Sequence, residues 1–118
     1  MTATVLKELL ALAVGKRKKY RVQGESMLPI LEPGDVVIIR KDKHCEAGDI
    51  VVARHPYKNT TLIKYVAYID ENKLVELSSP HGTDSRQFGK PPMSNIIGVA
   101  TYNLTQRALL VKEATSTN

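Results

Sequence analysis

From Tyr20 onward the apolar residues stop recurring at helical spacing and fall into short β-branched runs, each closed by Gly, Pro, Asp or Asn. Val, Ile, Thr and Tyr suit a pleated, half-buried surface, and the punctuating residues favour turns, so this rhythm dictates a mostly β chain. It places strands near 20–23, 36–40, 50–53, 61–69, 74–77 and 97–102. The turns fall at Glu32-Pro33-Gly34-Asp35, Ala47-Gly48-Asp49 and Asp70-Glu71-Asn72-Lys73, the last read as a hairpin. Ahead of the β region, Val5, Leu6, Leu9, Leu10 and Ala13 recur at helical spacing and Gly15 follows as a stop. That spacing predicts one amphipathic helix over 4–14, short enough that it must dock on something. Residues 78–95 carry neither period and read as a long irregular loop of the kind that often holds function. The organisation is a helix and basic segment over 1–19, a β domain over 20–111 and a polar tail over 112–118.

At 118 residues the chain has room for one domain, and its 42% hydrophobic and 25% charged residues suit a globular fold. The net charge of +5 is local, because Lys16, Arg17, Lys18 and Lys19 are consecutive. A whole-surface nucleic-acid footprint is therefore not expected. The run reads first as a solvated segment at a helix end, where cations favour the helix dipole. Beside an amphipathic helix it also suits anionic lipid, which makes peripheral membrane contact through residues 4–19 a second reading. The longest apolar run, Leu9 to Val14, falls far short of the ~20 residues of a membrane span. Lys7 and Glu8 break the early apolar stretch and the cations follow it, which argues against a signal peptide. One cysteine, Cys45, excludes an intramolecular disulfide and points to a reducing, cytoplasmic setting. His44 beside Cys45 lacks further ligands, so neither a metal nor a cofactor is expected.

The densest chemical signal is Gly24-Glu25-Ser26-Met27-Leu28-Pro29-Ile30-Leu31-Glu32-Pro33-Gly34-Asp35, which sets a serine on a constrained turn between strands. A serine hydroxyl is a poor nucleophile until a base takes its proton. His44, His55 and His81 lack an acid pattern that would complete a serine, histidine and acid triad. Lys64 lies inside Thr61–Ile69, where strand alternation puts Leu62, Lys64, Val66 and Tyr68 on one face. Burial among such neighbours disfavours the ammonium form and lowers a lysine's pKa, as a lysine base requires. The bland alternatives are a capping serine and an edge-strand lysine that discourages aggregation.

Four blocks in order, Gly-x-Ser-Met-x-Pro-x-Leu-x-x-Gly-Asp from Gly24, Gly48-Asp49-Ile50-Val51-Val52, Ile63-Lys64, and Asp84-Ser85-Arg86 with Phe88-Gly89, resemble the serine-lysine signal peptidase family (peptidase family S26). Within it, a short form with Val51-Val52-Ala53-Arg54-His55-Pro56-Tyr57 is most similar to the group that matures nickel-type superoxide dismutase. The resemblance implies a signal-peptidase and LexA-like β-barrel-type catalytic domain in which Ser26 is nucleophile and Lys64 general base. It also implies an oxyanion donor at the Ser26 N–H, Met27 packing beside the nucleophile, and Asp84 with Arg86 holding their loop near Ser85. The chain departs from the family at two hydroxyls: Gly24 stands at a second oxyanion donor's position and Gly82 where a serine orients the lysine, leaving Thr83 or Ser85 as substitutes. The expected partner is a protein precursor with an N-terminal extension. Two other readings are a LexA-like self-cleaving regulator, for which about 20 residues ahead of the β domain leave too little room for a helix-turn-helix, and a non-catalytic β module that binds membrane or nucleic acid through its cations.

Overall fold

The computed structural model describes residues 2–41, 44–81 and 89–111. Thr2 opens the first element, its Oγ1 accepting the Val5 N–H at 3.1 Å, and helix α1 runs Ala3–Ala13. It stops where sequence predicts: Gly15 takes φ +83°, the Gly15 N–H reaches Leu12 O and the Lys16 N–H reaches Ala11 O at 2.8 Å. Those two bonds close a glycine-dependent C-cap, since a side chain is strained at that φ.

The amphipathic helix is present, but its fully buried residues are polar, and of the predicted apolar face only Val5 and Leu9 are half-buried. Thr4 and Glu8 are its buried residues, while Leu6, Leu10 and Val14 are 48%, 57% and 70% exposed. The reason lies in Glu8, whose carboxylate accepts Arg17 Nε at 2.8 Å, Arg17 Nη2 at 3.2 Å and the Thr101 hydroxyl. Two-pronged Arg–carboxylate pairing fixes orientation as well as position, so α1 docks on the sheet through charge. Burial alone would raise the Glu8 carboxyl; the bonds from Arg17 and Thr101 outweigh it and hold the pKa below the ordinary value.

Arg17 also corrects the reading of the basic run as a solvated helix end, because it begins strand β1, Arg17–Arg21. β2 is Val36–Arg40, β3 Ile50–Arg54, β4 Thr61–Ile69, β5 Val75–Ser78, β6 Ile96–Asn103 and β7 Ala108–Leu109. They form one antiparallel seven-stranded sheet in the order β1-β2-β6-β3-β4-β5, with β7 on β6. The mostly β fold with a short N-terminal helix is as the sequence predicts. β1 starts three residues early, since an end strand tolerates the exposed Lys18 and Lys19. β7, two residues long, is too short to leave a periodic signal.

The sheet is buried on both faces. Val37, Ile39, Ile50, Val52, Ile63 and Ala100 cluster on one face with Val22, Met27 and Leu31, which descend from the β1–β2 connection. Cys45, Val51, Ala53, Val66, Val75, Leu77, Ile96 and Val99 form a second cluster. A bulge in β4 corrects one predicted face: Val66 pairs with Leu77 but Tyr68 pairs with Glu76, so Ala67 is the extra residue. Tyr68 therefore leaves the face of Lys64 and Val66 and is 43% exposed.

The two Gly-Asp turns are built alike. Asp35 Oδ2 accepts the Glu32 N–H at 2.9 Å and Asp49 Oδ2 accepts the Glu46 N–H at 2.8 Å, with Gly34 and Gly48 at φ +91° and +94°. Asp35 additionally accepts Asn103 Nδ2 at 2.9 Å and Gln106 Nε2 at 2.6 Å, tying the start of β2 to the end of β6. Its burial would raise the carboxyl pKa, and the donors from Glu32, Asn103 and Gln106 more than reverse that.

Where β2 crosses β6, a Cβ on Gly98 would lie 2.2 Å from Ile39 Cγ2 and 2.4 Å from Arg40 O. Gly98→Ala is expected to cost about 1–3 kcal/mol, as overpacking does, measurable as a lower thermal midpoint. Glu8 and Asp35 both have lowered native pKa values, so their contribution is complete above their ordinary values of 4.5 and 3.8 and is lost as pH falls towards the native ones. Acid unfolding of Asp35→Asn should be correspondingly shallower than that of the parent chain, from a lower stability at neutral pH.

Candidate active site

Gly24, at φ +77°, turns the chain out of the β1 region and into the segment that carries Ser26. Met27 and Leu31, 1% and 0% exposed, plunge into the core immediately after it. Between them the Leu28 N–H bonds Glu25 O at 3.1 Å and the Leu31 N–H bonds Met27 O at 3.0 Å, and Leu28-Pro29 is a cis peptide. Ser26 is thus half-buried on a turn whose next residue is fixed in packed side chains. Among the described residues neither its hydroxyl nor its N–H forms a hydrogen bond. Met27 packs in the core cluster beneath this turn.

Lys64 sits in the middle of β4, opposite Val51 of β3, with β5 on its other side. At 3% exposure it is neither an edge lysine nor a solvated one. Its Nζ donates to Ser79 Oγ at 3.3 Å; Ser79 Oγ donates to His81 O at 2.6 Å; the His81 N–H donates to Ser26 O at 3.0 Å. The segment just beyond β5 therefore ties the lysine strand to the serine turn. Among the described residues no direct hydrogen bond joins Ser26 Oγ to Lys64; in uncomplexed enzymes such bonds are often long and tighten only with substrate.

Ser79 is the residue that sequence reasoning misses. Its signal is register: β4 and β5 pair Tyr65 with Ser78, so the next residue falls beside Lys64. The substitutes suggested by motif position, Thr83 and Ser85, lie outside the described residues, as do Asp84, Arg86 and Gly82. The other polar candidates scatter. His44 is exposed, 3.8 Å from Glu46, while its neighbour Cys45 is buried in the core. His55 Nδ1 accepts the Tyr57 and Lys58 N–H groups of its own loop at 3.0 and 3.1 Å. Tyr65, next to Lys64 on β4, has its phenol pKa raised by burial. Among the described residues no three His, Cys, Asp or Glu side chains converge on a metal position. No described helix is long and apolar enough to cross a membrane.

The chain matches the family described as Peptidase S24-like over residues 6–100, from α1 into β6. It belongs to that family. The Peptidase S24-like match spans both Ser26 and Lys64 and places the chain in the wider group of LexA-like and signal-peptidase-like domains. It supports a serine peptidase or a LexA-like self-cleaving role, a coarser assignment than the signal-peptidase branch. Comparisons with curated proteins and with solved structures give no match.

If Ser79 holds the lysine amine, Ser79→Ala should lower kcat on a cleaved peptide by about 10- to 100-fold, the equivalent of ~1.5–3 kcal/mol for a charge-assisted hydrogen bond. KM should change little, and Ser79→Thr should restore most of the loss. Equal kcat in all three proteins would remove Ser79 from the site.

Proposed function

We propose that this Peptidase S24-like chain is a serine endopeptidase that removes an N-terminal presequence from a protein precursor. The observation that carries the reading is the chain of contacts from buried Lys64 through Ser79 and His81 to the Ser26 turn. In this scheme the neutral Lys64 amine takes the Ser26 hydroxyl proton as Oγ attacks the scissile carbonyl. The Ser26 N–H, left unbonded by the described residues, stabilises the developing oxyanion. Lys64 then gives its proton to the leaving amine, and water hydrolyses the acyl-enzyme with the same lysine as base. The motif resemblance narrows the substrate to the precursor of nickel superoxide dismutase, whose new N-terminus would bind the metal. The motif resemblance gives Asp84 and Arg86, which lie outside the described residues, the role of loop-structuring residues, and the setting in this reading is cytoplasmic.

The family match favours a second reading, cleavage of the chain by itself. Docking of α1 through Glu8 to Arg17 and Thr101 argues against a self-cut within residues 3–13, because it holds them as a helix while a peptide substrate must be extended at the scissile bond.

Ser26→Ala and Lys64→Met should each abolish precursor cleavage while leaving the melting curve cooperative, and the parent's kcat/KM should rise with pH as the lysine loses its proton. Full activity in either variant defeats the dyad. Mass spectrometry after alkaline incubation separates the two readings: an intact chain supports action in trans, and a Ser26-dependent internal cut supports self-cleavage.

A further inference from the structure

Helix α1 buries Thr4 and Glu8 against the protein, with Val5, Leu9 and Leu12 half-buried beside them, and leaves part of its apolar surface to water. Leu6, Leu10 and Val14, spaced by four residues, form one continuous exposed stripe over the length of the helix. The stripe belongs to an open groove of about 640 Å³ that Lys7, Lys16 and Arg17 also line. Arg17 is committed to Glu8, the single acidic residue of α1, so the free charge beside the stripe is that of Lys7 and Lys16. Exposed Lys18 and Lys19 follow directly on β1.

This orientation is held in place. Turning the stripe inward would break the Glu8 bonds to Arg17 and Thr101 and leave a buried carboxylate site without its partner, which costs far more than an exposed leucine. An apolar stripe flanked by cations, with no carboxylate among the described residues that line its groove, is complementary to a surface that is oily beneath and anionic above. It fits a second copy poorly: the same cations would face one another, and three side chains fall well below the ~800 Å² a side of a stable dimer.

We infer that the outward face of α1 is a docking site for anionic lipid, in which Leu6, Leu10 and Val14 enter the boundary between headgroups and acyl chains and Lys7 and Lys16 meet lipid phosphates. The helix lies in the plane of the surface without crossing it. The site is separate from Ser26 and Lys64 and stands whether or not the chain is a peptidase.

The test is co-sedimentation of the full chain with phosphatidylcholine vesicles, with and without about one-third phosphatidylglycerol, at low and high salt. Binding should require the anionic lipid and weaken with salt. Lys7→Gln and Lys16→Gln should each reduce partitioning about fivefold. Leu6→Ser with Leu10→Ser should abolish it while circular dichroism and melting temperature stay those of the parent, as expected for solvent-facing positions. Failure to pellet with either vesicle overturns the inference, as does binding that survives the double leucine variant. A lipid-free dimer dissolved by Leu10→Ser would overturn it too, assigning the face to a second copy.

Discussion

An amine taken out of water must recover its hydrogen bonds from the protein or lose its charge. Lys64, buried between β3 and β5, faces that demand within the sheet. Ser79 Oγ supplies one bond and is itself aimed by its bond to His81 O. Because the His81 N–H holds Ser26 O, the serine turn is positioned by the same short segment that solvates the lysine. The turn is fixed from its other side by Met27 and Leu31 in the core. Lysine, segment and turn are thus linked to one another, the preorganisation that the proposed proton transfer from Ser26 to Lys64 calls for.

What the sequence reveals of this arrangement follows the range of the interactions. β2, β3 and β4 are legible to within a residue because each is a β-branched run bounded by a turn with local chemistry, such as the Asp35 and Asp49 carboxylates reaching back three residues. The helix and its Gly15 cap are legible for the same reason. The features that escape are non-local. Which side of α1 packs inward is decided by Arg17 and by Thr101, which is 93 positions from Glu8. The side taken by Tyr68 depends on a bulge that no strand pattern announces. Ser79 becomes relevant only once β5 has found its register on β4.

The same distinction applies to the site. Ser26 and Lys64 stand out as residue types in a motif, and the Peptidase S24-like match covers both. Motif position, however, directs attention to Thr83 and Ser85 for the supporting hydroxyl, whereas sheet register brings Ser79 to the amine. A hydroxyl can serve a lysine from any backbone position that reaches it, and Ser79 does so, while Thr83 and Ser85 lie outside the described residues. Gly82 at the usual serine position is then no vacancy in function if Ser79 fulfils it.

Strand β1 has a single partner, β2, among the described strands, and its outer backbone edge ends the sheet. Lys18 and Lys19 stand exposed along it, and Arg21 follows. Two copies of this chain approaching edge to edge would bring these cations against their own counterparts before any backbone bond could form. The basic run that gives the protein its net charge therefore guards an unfinished sheet against its own kind, a protection by repulsion that lets so short a chain keep an open strand.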